Sequence, residues 1–397
     1  MFDYLQISDR RERWAVGLAD VALRALAAPA GLGRATRPGV LPRRVLVLRL
    51  ERIGDLLMTF EALAALRASL PSATIDLCVG SWNEPLARAM AVADRVDLLD
   101  APWLARDRPG STWTRLRSHA RGWRRHGYDL AINLEPDIRS NVLLWWSGAA
   151  RRVGYFTGGG GALLTDAEAY DPALHTHDNA MRLVRLATPA AASRPAAAPR
   201  LRLPDDARER GRQLLAPAEG AFCVGIHASG GRPVKQWHAR RFAEVATALG
   251  REHGAAIVLT GAPADAAIVG DVEAGIPAGV RVLNLCGQAD VLGLAAVLER
   301  LAVLVTGDTG PMHLAAAVGT PVVALFGPSV PARYAPRTAA SRIVRIDLPC
   351  SPCNRIRLPP TRCRGHVPDC LDGISADHVI AVTRGLLASD RTIVSEG

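Results

Sequence analysis

Apolar residues fall along this chain in short unbroken runs separated by longer stretches of helical spacing. Val45-Leu46-Val47-Leu48 is the first such run, the pattern of a strand buried on both faces. Further strands are expected at Thr74–Val79, Val96–Leu99, Asp129–Leu134 and Arg152–Tyr155. Leu56 to Leu70 carries apolar residues at helical spacing and stops before Pro71. A second series places strands at Phe222–His227, Ala256–Thr260, Arg281–Leu285, Val303–Thr306 and Val322–Phe326. Its helices are expected near Ala239–Glu252, Ala264–Val272, Val291–Arg300 and Met312–Val318, with a last helix at Ala376–Leu387. Strands alternating with helices predict an α/β fold with two doubly wound parallel sheets.

The ends and the middle read differently. Trp14, Leu18, Val21, Ala25 and Leu26 share one face of an N-terminal helix, and Arg10, Arg11, Arg13 and Arg24 add positive charge. This is either an amphipathic helix on an anionic membrane or a helix packed on the domain or a neighbouring subunit. Gly31 to Pro42 reads as a loop, and the Ala- and Pro-rich residues 187–206 as an interdomain linker. The expected organisation is a basic extension over 1–42, one α/β domain over 43–200 and a second over 201–348. A Cys-rich loop over 349–373 and a helix with a tail over 374–397 complete it.

Length and composition fit this division. A chain of 397 residues suits two domains, and 49% hydrophobic residues supply their cores. No apolar run spans a bilayer and the first residues are polar, so a cytoplasmic location is expected, with the inner membrane face as a site of contact. The net charge of +10 favours an anionic partner. Nearly all of that charge is arginine; Lys235 is the only lysine.

Three loops of the second series end strands with ligand-binding chemistry. Thr306-Gly307-Asp308-Thr309-Gly310-Pro311-Met312-His313 leads from a strand into a helix whose start attracts phosphate. Pro311 suits a first helical turn. His227-Ala228-Ser229-Gly230-Gly231 offers a hydroxyl and small backbone positions, and Lys235 follows as a point charge. Asp265 is placed either to meet a ribose hydroxyl or to serve as a helix-start charge. In the first series, Arg52-Ile53-Gly54-Asp55 links the first strand to its helix. Asp55 reads as a general base for an acceptor hydroxyl or as a helix cap. Glu135, Asp137 and Arg139 follow another strand and are candidates, with Arg52, for acceptor contact. The stretch from Trp113 to Arg125 is basic and aromatic; it suits an anionic glycolipid or an ordinary solvated helix, and no nucleic-acid motif accompanies it.

Four cysteines close the inventory. Cys350, Cys353, Cys363 and Cys370 begin with a C-x2-C pair. Such a set encloses a structural zinc or iron, remains as reduced thiols, or forms a redox-dependent disulfide.

Taken together, Arg52-Ile53-Gly54-Asp55-Leu56-Leu57, Lys235-Gln236-Trp237, Gly261-Ala262-Pro263, Asp308-Thr309-Gly310-Pro311-Met312-His313-Leu314 and Leu325-Phe326-Gly327-Pro328 resemble the heptosyltransferase family, glycosyltransferase family 9. The resemblance runs from about Arg43 to about Leu387. It implies a GT-B fold, two Rossmann-like domains facing a central cleft. It implies inverting transfer from ADP-heptose to a glycan such as the lipopolysaccharide inner core, with no cofactor required for catalysis. Asp55 then matches the base and Lys235 the phosphate-contacting lysine. Asp308 matches the donor-sugar contact, and Thr309, Gly310 and His313 the phosphate turn. Ser229 and Gly230 lie near the family's small hydroxyl residues, some of which are glycine here. The resemblance also extends to a branch in which four cysteines hold iron. A protein or other glycan as acceptor, a different nucleotide sugar, and a non-catalytic nucleotide-sugar binder are the competing readings.

Overall fold

A computed structural model describes residues 2–7, 9–30, 41–104, 110–189 and 199–394. The chain divides into two compact units, 1–199 and 200–397. The expected domain boundary at 200/201 lies one residue from this division.

The first unit holds six strands: β1 (Arg44–Arg49), β2 (Thr74–Val79), β3 (Arg95–Leu98), β4 (Leu130–Asn133), β5 (Arg151–Tyr155) and β6 (Asp166–Glu168). All pairs are parallel, in the order β3-β2-β1-β4-β5-β6. The second unit holds β7 (Cys223–His227), β8 (Ala256–Thr260), β9 (Val282–Asn284), β10 (Val303–Gly307), β11 (Val322–Leu325) and β12 (Ser341–Val344). Its order is β9-β8-β7-β10-β11-β12, again all parallel. Each unit therefore winds its strands 3-2-1-4-5-6, the dinucleotide-binding order.

The central strands carry unbroken apolar runs because both sheet faces are covered. Val45 to Leu48 and Val303 to Val305 are fully buried. The pattern found every central strand to within a residue or two but missed β6 and β12. Both are last in their sheet, pair on one side only, and lack an unbroken apolar run. The helix expected from Leu56 to Leu70 is two, Ile53–Met58 and Phe60–Ser69. They part at Thr59, whose hydroxyl donates to the Leu56 carbonyl at 2.7 Å and competes with the helical ladder.

The N-terminal helix spans Arg10–Ala30 and packs on the first unit near Gly160–Leu163. The last helix, Ala376–Val394, packs on the helix Ala239–His253 and on β10–β12. Most of the expected loop at 31–42 and the centre of the expected linker, 190–198, lie outside the described residues. No helix among the described residues is long and apolar enough to cross a membrane.

Candidate active site

In each sheet the strand order reverses direction between two strands, β1/β4 in the first unit and β7/β10 in the second. Ligands of such sheets bind at the carboxyl ends flanking that point. Most of the candidate residues fall there: the β1 and β4 ends carry Arg52, Asp55, Glu135, Asp137 and Arg139, and the β7 and β10 ends carry Ser229, Lys235, Asp308 and Thr309.

At the β1 end, Asp55 is the third residue of the helix Ile53–Met58, and its Oδ2 accepts the Arg52 N–H at 3.2 Å. The carboxylate thus caps its own helix and keeps 30% of its side chain exposed. Beneath it lies Arg49, 2% exposed. Its guanidinium donates to the Asp55 carbonyl at 3.0 and 3.1 Å, to the Leu134 carbonyl at 2.8 Å and to Glu51 Oε2 at 2.7 Å. Burial works against the Arg49 charge, but Glu51, Asp55 and Glu135 outweigh it and hold its pKa above the ordinary value. Burial pushes the Glu51 carboxyl up to about 8, with Asp55, Glu135 and Asp137 adding and Arg49 opposing. Solvent softens that push, since 29% of the Glu51 side chain stays open.

Glu135, expected at the acceptor, lies instead under this loop. It is 1% exposed. Its Oε1 accepts the backbone N–H groups of Leu50 and Glu51, and its Oε2 accepts the Ser140 hydroxyl at 2.6 Å. A carboxylate with one oxygen on the β1 loop and the other on Ser140 of the helix Ile138–Trp146 positions that loop and is closed to an acceptor. Asp137 caps the helix Ile138–Trp146, accepting the Arg139 N–H at 2.7 Å. Arg139 also pairs with Asp137 and lies over the Trp103 ring at 4.8 Å. Trp103 stacks on Trp113, with centroids 5.4 Å apart. Arg52 lies over Trp82 at 5.3 Å and donates to the Leu104 carbonyl at 2.5 Å. Arginine–tryptophan pairs thus lie at the ends of β1 and β4, of which the sequence reading named the arginines but not Trp82 or Trp103. Within Trp113–Gly122 the arginines at 115, 117 and 121 are exposed around buried Leu116 and Ala120, an ordinary solvated helix face.

In the second unit Lys235 ends a short turn, Pro233–Lys235. Its ammonium lies 3.0 Å from Asp308 Oδ2 and donates to the Asp308 carbonyl as well. Asp308 is 9% exposed. The helix Gly310–Val318 starts at Thr309, with Pro311 in its first turn. His313 lies one turn in and is buried. Gly230 does not leave room for a ligand: a Cβ there would meet the Lys235 carbonyl oxygen at 2.5 Å. It is small so that the Lys235 turn packs against it. Its N–H donates to Gln236 Oε1 at 2.8 Å. Trp237 belongs to the core, 2% exposed. Asp265 accepts the Ala262 N–H at 2.8 Å, so it does serve as a turn cap.

Ser229 and Asp265 nevertheless share one pocket of about 930 Å³. Its far wall is the Cys-rich loop, through Arg357, Arg364 and His366, which sequence reasoning missed because nothing local ties that loop to β7. Cys350, Cys353, Cys363 and Cys370 line a second, adjoining pocket of about 230 Å³. Burial pushes the Cys370 thiol up to about 11, and Cys353 and Cys363 add to it. Among the described residues no three His, Cys, Asp or Glu side chains are spaced to hold a metal ion.

The family model for glycosyltransferase family 9 (heptosyltransferase) matches residues 116–359. The chain belongs to this family. This family 9 glycosyltransferase is 25% identical over 316 residues to lipooligosaccharide heptosyltransferase 2 of Haemophilus influenzae, covering 76% of the chain and 88% of that protein. Its fold matches the structure of Escherichia coli ADP-heptose lipopolysaccharide heptosyltransferase II with a TM-score of 0.73 at 21% identity, over 88% of this chain and 99% of that one. A more distant match, TM-score 0.52 at 15% identity, is the iron-containing dodecameric glycosyltransferase TibC of enterotoxigenic E. coli, over 88% of this chain and 77% of that one. The fold of this family 9 enzyme is GT-B.

Proposed function

We propose that this enzyme transfers a heptose from ADP-heptose to a glycan acceptor of the lipopolysaccharide inner-core type, with inversion at the sugar carbon. The names of its relatives support the sugar and the acceptor. The observation that carries the chemistry is the Lys235–Asp308 pair at the start of the helix Gly310–Val318. A half-buried cation, its side chain 17% exposed, beside a helix N-terminus suits a diphosphate whose charge grows as it departs.

In this reading the Asp55 carboxylate takes the proton of the acceptor hydroxyl. The freed oxygen bonds to the anomeric carbon on the face opposite the diphosphate. The bond from that carbon to the phosphate oxygen breaks, and ADP leaves with the electron pair. Lys235 and the backbone N–H groups after Thr309 meet the new charge. Asp308 orients the sugar and Lys235 together. Ser229 and Asp265 hold the nucleoside end in their shared pocket, and Arg52 and Arg139 hold the anionic acceptor.

Asp55→Asn tests the base. Transfer should fall by at least about a thousandfold, as expected when a general base and its charge are both lost, while ADP-heptose binds with unchanged affinity. Anomeric NMR of the product reads the stereochemistry. Full turnover by Asp55→Asn removes the residue from the mechanism, and tighter binding of a GDP- or UDP-sugar than of ADP-heptose replaces the donor.

Cys350, Cys353, Cys363 and Cys370 line one pocket, but no three of them are spaced for a metal as they lie; a structural metal there is a second proposal, and it requires the loop to draw the four thiols together. Zinc or iron bound there would make the Cys370 thiolate favourable where burial now opposes it. Metal analysis of the purified protein should give about one equivalent per chain, lost in Cys353→Ser. Metal-free wild-type protein of full stability rejects it.

A further inference from the structure

The helix Arg10–Ala30 is amphipathic the wrong way round for a surface helix. Its polar side faces the protein. Gly17 packs on the Phe2 ring, where a Cβ would meet ring atoms at 2.3 Å. Asp20 is fully buried, accepting the Gly160 N–H at 2.7 Å and the Tyr4 hydroxyl at 2.5 Å, and pairing with Arg24 at 2.8 Å. The outward side is apolar. Trp14, Leu18, Val21 and Leu26 are 45%, 61%, 49% and 69% exposed, with exposed alanines at 15, 19, 22 and 25 between them. A solvated helix carries the opposite distribution.

We propose that this face is an interfacial anchor for an anionic lipid bilayer. The charge fits: Arg10 and Arg11 are exposed at the start of the same helix, and the chain carries +10. The size fits too. Four partly exposed side chains offer on the order of 400 Å², about half of what each partner of a stable protein interface buries. A lone helix sunk to headgroup depth needs no more. Trp14 supplies the indole that favours such a boundary.

The placement has a use, which rests on the acceptor reading above. Glu12 of this helix lies 3.9 Å from Arg139, and Arg139 stacks on Trp103, which stacks on half-exposed Trp113. A helix lying in the headgroups therefore brings the arginine–tryptophan face to the surface that displays a lipid-borne saccharide.

Co-sedimentation of the full chain with vesicles tests it, using phosphatidylcholine alone or with a quarter phosphatidylglycerol. Wild type should bind the anionic vesicles. The exposed double variant Leu18→Asp/Val21→Asp should bind about tenfold or more weakly, since it puts two charges in the middle of the apolar face. Arg10→Ala/Arg11→Ala should lose the preference for anionic lipid. Matching thermal melts and matching ADP-heptose affinity show that fold and donor site are intact, so failure of the anchor is separable from failure of the proposed activity. Wild type that ignores both vesicles, or a double variant that binds like wild type, overturns the proposal. So does a wild-type dimer by light scattering that the double variant abolishes, because the face would then belong to a second copy.

Discussion

The Asp55 carboxylate caps its own helix through the Arg52 N–H at 3.2 Å and still presents nearly a third of its side chain. Cap and base were alternatives in the sequence; the geometry accommodates both, because one oxygen suffices for the cap. Buried Arg49 grips the Asp55 carbonyl twice, so the loop is held by a rigid fork that lysine would not reproduce. Lys235, in the second unit, is the only lysine in the chain. An amine-reactive label should therefore modify one side chain, with only the N-terminal amine besides. ADP-heptose should protect Lys235 by about tenfold or more, because a charge-assisted phosphate contact is worth about 1.5–3 kcal/mol. Equal labelling with and without the donor, read by peptide mass spectrometry, would take Lys235 away from the phosphates.

At the scale of elements, the loop that follows β7 folds on itself at a glycine and reaches the loop after β10 through a lysine. Gly230 closes on the Lys235 carbonyl oxygen, and Lys235 in turn reaches Asp308. Gly230→Ala should displace the Lys235 turn. We expect a loss of about 1–3 kcal/mol in stability, the usual cost of overpacking, with a clear rise in the donor dissociation constant by calorimetry. Wild-type affinity in a folded Gly230→Ala protein would show that the turn is free to shift without consequence. Glycine at this position was legible as a site for close approach, but not what approaches. That depends on a turn five residues further on.

For the molecule as a whole, both units repeat one winding order without repeating a sequence, and the buried centre of each sheet carries a polar group near its switch point. In the second unit that group is His227, 5% exposed, with Nδ1 at 3.0 Å from the Thr260 hydroxyl. Burial lowers its pKa to about 4; Asp265 and Thr260 oppose this. The folded chain thus refuses a proton that the unfolded chain, titrating near 6.5, accepts. Stability should rise as pH climbs from about 4 to about 6.5 and then level, by on the order of 3 kcal/mol. His227→Gln should flatten that slope in urea melts taken across the window. An unchanged slope assigns the acid sensitivity to other groups.

Local pattern alone determined the alternation of strands and helices, every central strand, and the loops that carry Asp55, Lys235 and Asp308. Those signals lie within a few residues, since a strand buried on both faces must be apolar and a helix start must be capped. Tertiary structure decided what pairs at a distance. Glu135 became a support for the β1 loop, 85 residues away in the chain. The Cys-rich loop became the wall of the Ser229 pocket. The N-terminal helix turned its apolar stripe outward, because one buried aspartate and one glycine fix the side that packs. Periodicity shows that a helix has two faces, and only its partner settles which one meets water.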